Sequence, residues 1–142
     1  MDKIFKNIYV GDRTSPSLDP VACNCSFDLI VNCTKDLPTN TRGINELRVP
    51  VDDDPSENDN MLVYLPWITE QIHRVWTQGG TILIHCFAGV SRSASVCAAY
   101  LMRYQGFLSV QETVRYMKTK RLIVFGNANF KDALENFNTR YH

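Results

Sequence analysis

Three consecutive large apolar residues, Ile82-Leu83-Ile84, run into His85 and Cys86 with no polar position between them. A strand with one wet face alternates apolar and polar residues. A strand apolar at every position is buried on both faces, as at the centre of a mainly parallel sheet. Parallel neighbours need long crossovers, usually helices, so this short run already asks for an α/β architecture. With the strand placed at Thr81–His85, three more stretches can join it: Ile4–Val10, Asp28–Cys33 and Glu46–Val51.

Helical periods fill much of the rest. Ile68, Ile72 and Val75 share a face from Pro66 to Thr77, with Pro66 expected in the first turn and Gly79-Gly80 as the stop. The stretch Ser91–Tyr104 is apolar on most sides and reads as a central helix. Ser109 and Glu112 form a capping-box pattern ahead of Val110, Val114 and Met117. A last helix should bury Phe130, Leu134 and Phe137, and Gly106 and Gly126 mark breaks. Trp67 and Trp76 are expected in the core, His73 on an exposed helix face and His142 in a tail. The expected fold is one α/β domain over residues 1–142. Its central sheet, mostly parallel and of about four or five strands, is flanked by helices.

Charge and cysteine usage limit the function classes. Apolar residues make up 44% of the 142, enough for a substantial core. Lys plus Arg and Asp plus Glu are 15 each, so no global basic field gathers nucleic acid or anionic membrane. Neither is an expected partner, and any anion site must be local. Five cysteines, at 23, 25, 33, 86 and 97, form no CxxC pair and no zinc spacing. No secretory signal, myristoylation glycine, prenylation Cys or membrane-spanning apolar run is present. Free thiols in a reducing, intracellular compartment, cytoplasmic or nuclear, are expected. Cys97 reads as core; Cys23, Cys25 and Cys33 have no assigned role.

The segment after the central strand carries the chemistry. His85-Cys86-Phe87-Ala88-Gly89-Val90-Ser91-Arg92-Ser93 joins the strand to the next helix. Such a loop can turn its N–H groups inward as an anion nest, and the helix N-terminus adds unpaired donors. Phe87, Ala88, Gly89, Val90, Ser91 and Arg92 are the expected phosphate-binding residues, with Gly89 giving the freedom for the tight curve. Cys86 would lie at the base, where donors that bind phosphate also hold a thiolate. Arg92 can return across the loop and offer two parallel donors to phosphate oxygens. Ser93 can donate to the thiolate. His85 is expected to orient the loop by hydrogen bonds rather than act as a base. The alternative for Cys86 is a buried structural thiol.

His85 to Ser93, followed by Ala94-Ser95, resembles the signature of the small dual-specificity phosphatases of the protein tyrosine phosphatase superfamily. Ile30-Val31-Asn32-Cys33-Thr34, Val49-Pro50-Val51-Asp52-Asp53, Ala99-Tyr100-Leu101-Met102 and Leu108-Ser109-Val110-Gln111-Glu112 extend the likeness over nearly the whole chain. The resemblance implies two-step hydrolysis through a phosphocysteine, with no cofactor or metal. Among Asp52, Asp53 and Asp54 it places the general acid at Asp53, with Asp54 the next candidate. A solvated acidic turn is the ordinary alternative for all three. The resemblance also implies that Asn127 helps hold the loop, although the family's Pro-Asn pair is Gly126-Asn127 here. A helix N-cap is the other reading of Asn127, and Asn32 either ties the first strand to the loop or ends a strand.

No Lys or Arg stands between Cys86 and Arg92. That favours a phosphorylated protein side chain over the polyanionic substrates of phosphoinositide phosphatases or RNA 5′-triphosphatases. Phosphotyrosine should react faster than phosphoserine or phosphothreonine, because phenoxide leaves more easily. A phosphoprotein-binding pseudoenzyme is the rival from another class.

Overall fold

The computed structural model describes residues 1–19, 21 and 26–142; Cys23 and Cys25 lie outside the described residues. Five strands form one sheet: β1 (Asp2–Phe5), β2 (Ile8–Gly11), β3 (Leu29–Asn32), β4 (Glu46–Arg48) and β5 (Ile82–His85). Their order is β1-β2-β5-β3-β4, with only the β1/β2 pair antiparallel. The apolar run of β5 is therefore central, between β2 and β3, and all four of its residues are buried. Side chains alternate across the pleat. Ile8, Val10, Leu29, Val31, Ile82 and Ile84 join the main core, while Leu83 and Ile30 are buried apart from it. Both faces of the sheet are thus covered at its centre.

Four helices follow among the described residues: α1 (Asn58–Thr77), α2 (Arg92–Tyr104), α3 (Val110–Lys120) and α4 (Lys131–Thr139). Helix α2 packs against β5 and the other three helices, and its residues from Ser93 to Met102 are all buried. The start of α3 is capped as the pattern suggests, with the return bond one residue early: Glu112 N–H donates to Ser109 Oγ at 3.0 Å, and Glu112 Oε2 accepts from Leu108 N–H at 3.2 Å. Phe130, Leu134 and Phe137 are buried as expected. Among the described residues no helix is long and apolar enough to cross a membrane.

Several expectations need correction. Ile4–Val10 is a hairpin rather than one strand. Asn7 takes φ +60°, a left-handed conformation that Asn tolerates, and reverses the chain between β1 and β2. The stretch Glu46–Val51 is a strand only to Arg48. Pro50 has no N–H for a ladder, and Val51 N–H turns back to Val49 O at 3.0 Å. Pro66 is in the interior of α1, not its first turn. The helix persists because Met61, Leu65, Ile68, Thr69 and Ile72 bury one continuous stripe. Arg103 Nη1 further holds the turn by donating to Pro66 O and Thr69 Oγ1 at 2.8 and 3.1 Å.

The side chains differ too. Trp67 is 41% exposed, off the stripe that packs inward. Trp76 is half-buried and donates from Nε1 to Lys6 O at 2.8 Å. His73 is not a free surface residue: it stacks on Tyr104 with centroids 3.9 Å apart and lies 3.0 Å from Tyr100 Oη. Burial pushes the Tyr100 phenol pKa up to about 12. His142 closes on Met102 O at 2.7 Å instead of hanging free.

Pro66→Ala should restore a helical N–H without touching the Arg103 contacts. Stability should rise by about 1–2 kcal/mol, the relief of an internal proline less the entropy the unfolded chain regains. A denaturant titration reads this directly, and an unchanged midpoint would show that the internal proline carries no cost.

Candidate active site

β5 ends at His85 in the middle of the sheet and α2 begins at Arg92, so residues 86–91 must close a tight loop between them. Gly89 sits at φ +67°, and a Cβ there would lie 2.6 Å from both Gly11 O and Arg121 Nη2. Only glycine fits, by backbone conformation and by space.

The loop carbonyls are held from outside. Arg13 N–H donates to Phe87 O at 3.0 Å and Phe125 N–H to Val90 O at 2.7 Å. Arg121 donates from Nη2 to Ala88 O at 3.3 Å and from Nε to Gly89 O at 2.9 Å. Ser91 O accepts from the N–H and the hydroxyl of Ser95, at 2.8 and 2.7 Å. In a planar peptide the N–H points opposite to the C=O. Fixing these carbonyls outward therefore turns the following amides inward. Gly89 N–H reaches Cys86 Sγ at 3.3 Å. The amides of Ala88, Val90 and Ser91 have no protein acceptor among the described residues. No side chain caps α2, in contrast to α3. The result is a cluster of free donors around a sulfur, suited to a tetrahedral oxyanion.

Cys86 is buried at the base, its Sγ 3.2 Å from Ser93 Oγ. Arg92 is half-buried. Its Nη1 donates to Val51 O at 3.0 Å, and its buried Nε has no partner among the described residues. Phe87 is 50% exposed at the rim, with the Arg13 guanidinium 4.4 Å above its ring. The uncharged wall expected from the loop residues thus carries one cation from another segment. His85 departs from expectation. The imidazole is buried, and neither ring nitrogen has a hydrogen-bond partner among the described residues. Burial of the ring lowers its pKa. Its contribution to order is its carbonyl, which accepts from Cys33 N–H at 2.8 Å.

The three aspartates have different surroundings. Asp52 pairs with Lys35 at 3.0 Å, and Lys35 also binds Glu57 at 2.8 Å. Asp54 caps the 3-10 turn Pro55–Glu57 by accepting Ser56 N–H at 2.8 Å, a contact that lowers its carboxyl pKa. Asp53 is exposed, yet its carboxylate accepts from Asn129 Nδ2 at 2.8 Å and Asn127 Nδ2 at 3.4 Å. Asn127 Oδ1 in turn accepts from Ser91 Oγ at 3.0 Å and Asn129 N–H at 3.1 Å. Asn127 therefore links the loop to Asp53. It is not the N-cap of α4, a position held by Phe130. Asn32 makes no side-chain hydrogen bond to the loop among the described residues: its Nδ2 donates to Leu37 O and its Oδ1 accepts from Thr34 Oγ1.

Arg121, Asn129, Asn58 and Arg13 have no counterpart among the sequence-based expectations. Asn58 bridges Pro55 O, Asn129 O and Ala133 N–H, joining the acidic turn to α4. The spacing Asn127-Ala128-Asn129 is an Asx-turn signal that was available. Arg121 carried none, because at the end of a basic helix it looks like ordinary dipole compensation. Among the described residues no group of three His, Cys, Asp or Glu side chains is placed to hold a metal ion.

Comparison with known proteins places this geometry. The family profile described as "Dual specificity phosphatase, catalytic domain" matches residues 8–140. The 123R protein of Invertebrate iridescent virus 6, which bears a tyrosine phosphatase name, is 36% identical over 135 residues, covering 95% of this chain and 89% of its own. Human Dual specificity phosphatase 28 is 31% identical over 136 residues, covering 95% of this chain and 76% of its own. Its crystal structure superposes with a TM-score of 0.89 at 29% identity, over 98% of this chain and 93% of that one. A human tyrosine phosphatase-like serine/threonine/tyrosine-interacting protein gives 0.87 at 26% identity, over 99% and 97%.

Arg121→Leu should cost about 3 kcal/mol, since it strands buried carbonyls and removes the partner of Asp2. Tungstate affinity, measured by calorimetry on the folded variant, should fall about tenfold or more as the inward amides lose alignment. An unchanged tungstate Kd would show that the loop keeps its shape without the guanidinium.

Proposed function

The chain belongs to the dual specificity phosphatase family, a group of cysteine-based protein phosphatases, and from that premise we propose that Cys86 is its nucleophile, Arg92 and the loop amides its phosphate ligands, and Asp53 its general acid. The observation that carries this reading is the loop itself. Its outward carbonyls are bonded, the inward amides of Ala88, Val90 and Ser91 have no acceptor among the described residues, and that of Gly89 meets the thiol among them.

The first step is in-line attack of the Cys86 thiolate on phosphorus. The inward amides and Arg92 meet the equatorial oxygens as charge shifts onto them. The bond to the side-chain oxygen breaks, and Asp53 gives that oxygen its proton. In the second step water attacks the phosphocysteine, Asp53 takes a proton from it, and the thiolate leaves. Ser93 Oγ, 3.2 Å from the sulfur, donates to the departing thiolate. The catalytic unit comprises residues 1–142, and it acts inside the cell on phosphorylated protein side chains, phosphotyrosine faster than phosphoserine or phosphothreonine.

The choice of Asp53 rests on its neighbours. Asp52 is engaged by Lys35, and Asp54 is committed to the turn it caps, where the lowered pKa makes it a poor proton donor. Asp53 is tied through Asn127 to Ser91 of the loop. A fold shared with a tyrosine phosphatase-like interacting protein is compatible with a binder. The coexistence of Cys86, Arg92 and a tethered carboxylate favours the enzyme.

Cys86→Ser should abolish hydrolysis of an aryl phosphate while leaving tungstate binding measurable; equal rates in wild type and variant would end the catalytic assignment. Asp53→Ala should lower kcat on phosphoserine peptides by roughly 10²–10⁴-fold and flatten the pH profile, with a much smaller loss on a p-nitrophenyl ester. Asp54→Ala should leave both nearly intact. Its effect is on stability: a depressed carboxyl pKa stabilises the fold above the ordinary value of 3.8 and ceases to as pH falls below it. The variant should therefore unfold more easily than wild type at pH 7, with the gap narrowing at pH 3. A profile flattened by Asp54→Ala instead would move the acid to that residue.

A further inference from the structure

Beside the catalytic loop, α2, α3, α4 and residues 125–128 border a cavity of about 850 Å³. Sites of about 300–1,000 Å³ hold ligands. No step of the proposed chemistry takes place inside this one. Val114, Phe130 and Leu134 give it an apolar floor. Its charged lining is Arg115, Lys118 and Lys131 against Glu135, and none of the four is in an ion pair among the described residues. In a chain whose 15 basic and 15 acidic residues balance, this is a local excess of positive charge. Lys118 is held in place by its bond to Val124 O at 2.9 Å. Val110, Val114 and Lys118 recur every fourth residue along α3, a run of about 12 Å at 1.5 Å per residue. That is long enough for roughly two helical turns or four extended residues of a bound segment.

The cavity shares a wall with the catalytic site. Ser91 and Asn127 line it, and the same two side chains link the loop to Asp53. We propose that this groove docks an acidic segment with apolar anchors, carried on the same polypeptide as the phosphorylated residue. This rests on the phosphatase reading above and names the class of phosphoprotein that the site receives. Apolar side chains fill the space between α3 and α4, and carboxylates meet the three cations. The shared wall makes the substrate itself, rather than a separate regulator, the occupant. The catalytic loop has little with which to read sequence, so the groove supplies that discrimination.

The test compares three sets of phosphotyrosine peptides: a short one, one extended by alternating Leu and Glu, and the same extension with Lys for Glu. Each extension is made on either side of the phosphotyrosine. Wild type should show a KM about tenfold lower for one acidic extension than for the short or lysine peptides. Arg115→Glu combined with Lys131→Glu, both exposed positions, should remove that advantage and leave kcat/KM on an aryl phosphate unchanged. Affinity is measured separately on Cys86→Ser, so an inactive wild type would count against the catalytic reading while docking is still read. Equal KM for acidic and lysine extensions, or an advantage that survives charge reversal, would overturn the groove. Tight binding of the unphosphorylated acidic peptide with no gain when it is joined to phosphotyrosine would overturn the substrate as occupant and indicate a separate partner.

Discussion

The buried guanidinium of Arg121 is the contact on which the site depends most. It comes from the end of α3, far from the loop in sequence, and bonds Gly89 O, Ala88 O and the Asp2 carboxylate at once. Anion binding by backbone requires amides that face one way, and a short loop has no ladder to align them. Fixing the carbonyls achieves the same end, because each peptide plane is rigid. A buried cation is costly unless fully bonded. Here its partners are the carbonyls that must not turn inward. One interaction thus satisfies the arginine and shapes the cradle, and its link to Asp2 fastens the cradle to the edge hairpin.

A second network fixes the acidic turn. Asn58, Asn127 and Asn129 connect Pro55, Asp53, Ser91 and the first turn of α4. Amides suit this task because each offers donors and an acceptor without charge of its own. Lysines in the same places would have paired with Asp53 as ions. Lys35 does pair in that way, but with Asp52 and Glu57, and so leaves the next carboxylate to the asparagines. Adjacent residues of one type thereby acquire separate roles: one ion-paired, one bonded by amides, one capping a turn.

What could be read from the sequence follows from range. The central strand was legible because burial on both faces leaves a continuous apolar signal, and the loop because its residue types are adjacent. The capping box of α3 and the buried face of α4 are likewise local patterns. The early hairpin was missed because Asn7 alone carries the turn, within a run that otherwise reads as one strand. Pro66 misled because its local preference opposes a helix that tertiary packing sustains. Within the site, Cys86, Arg92 and Ser93 are neighbours in sequence, whereas Arg121, Asn129 and Arg13 reach the loop only through the fold. Their role is set by contacts across long separations, and residue type and spacing do not encode those.

The acidic turn is fixed by its bonding on several sides. Asp53 is held by two amides, Asp52 by an ion pair and Asp54 by its own turn, while Arg92 bonds Val51 just before them. A lid that closes over substrate excludes water but must reopen, and it shapes the pocket around one size of side chain. As the proposed acid, a carboxylate already tied to the Cys86 loop would give up that closure in exchange for position. Exposed Phe87, with the Arg13 guanidinium over its ring, forms the rim. If Asp53 is the acid, as proposed, a fixed acid and an exposed rim would admit phosphorylated side chains of different length, and selection among proteins would then come from surface beyond the phosphate.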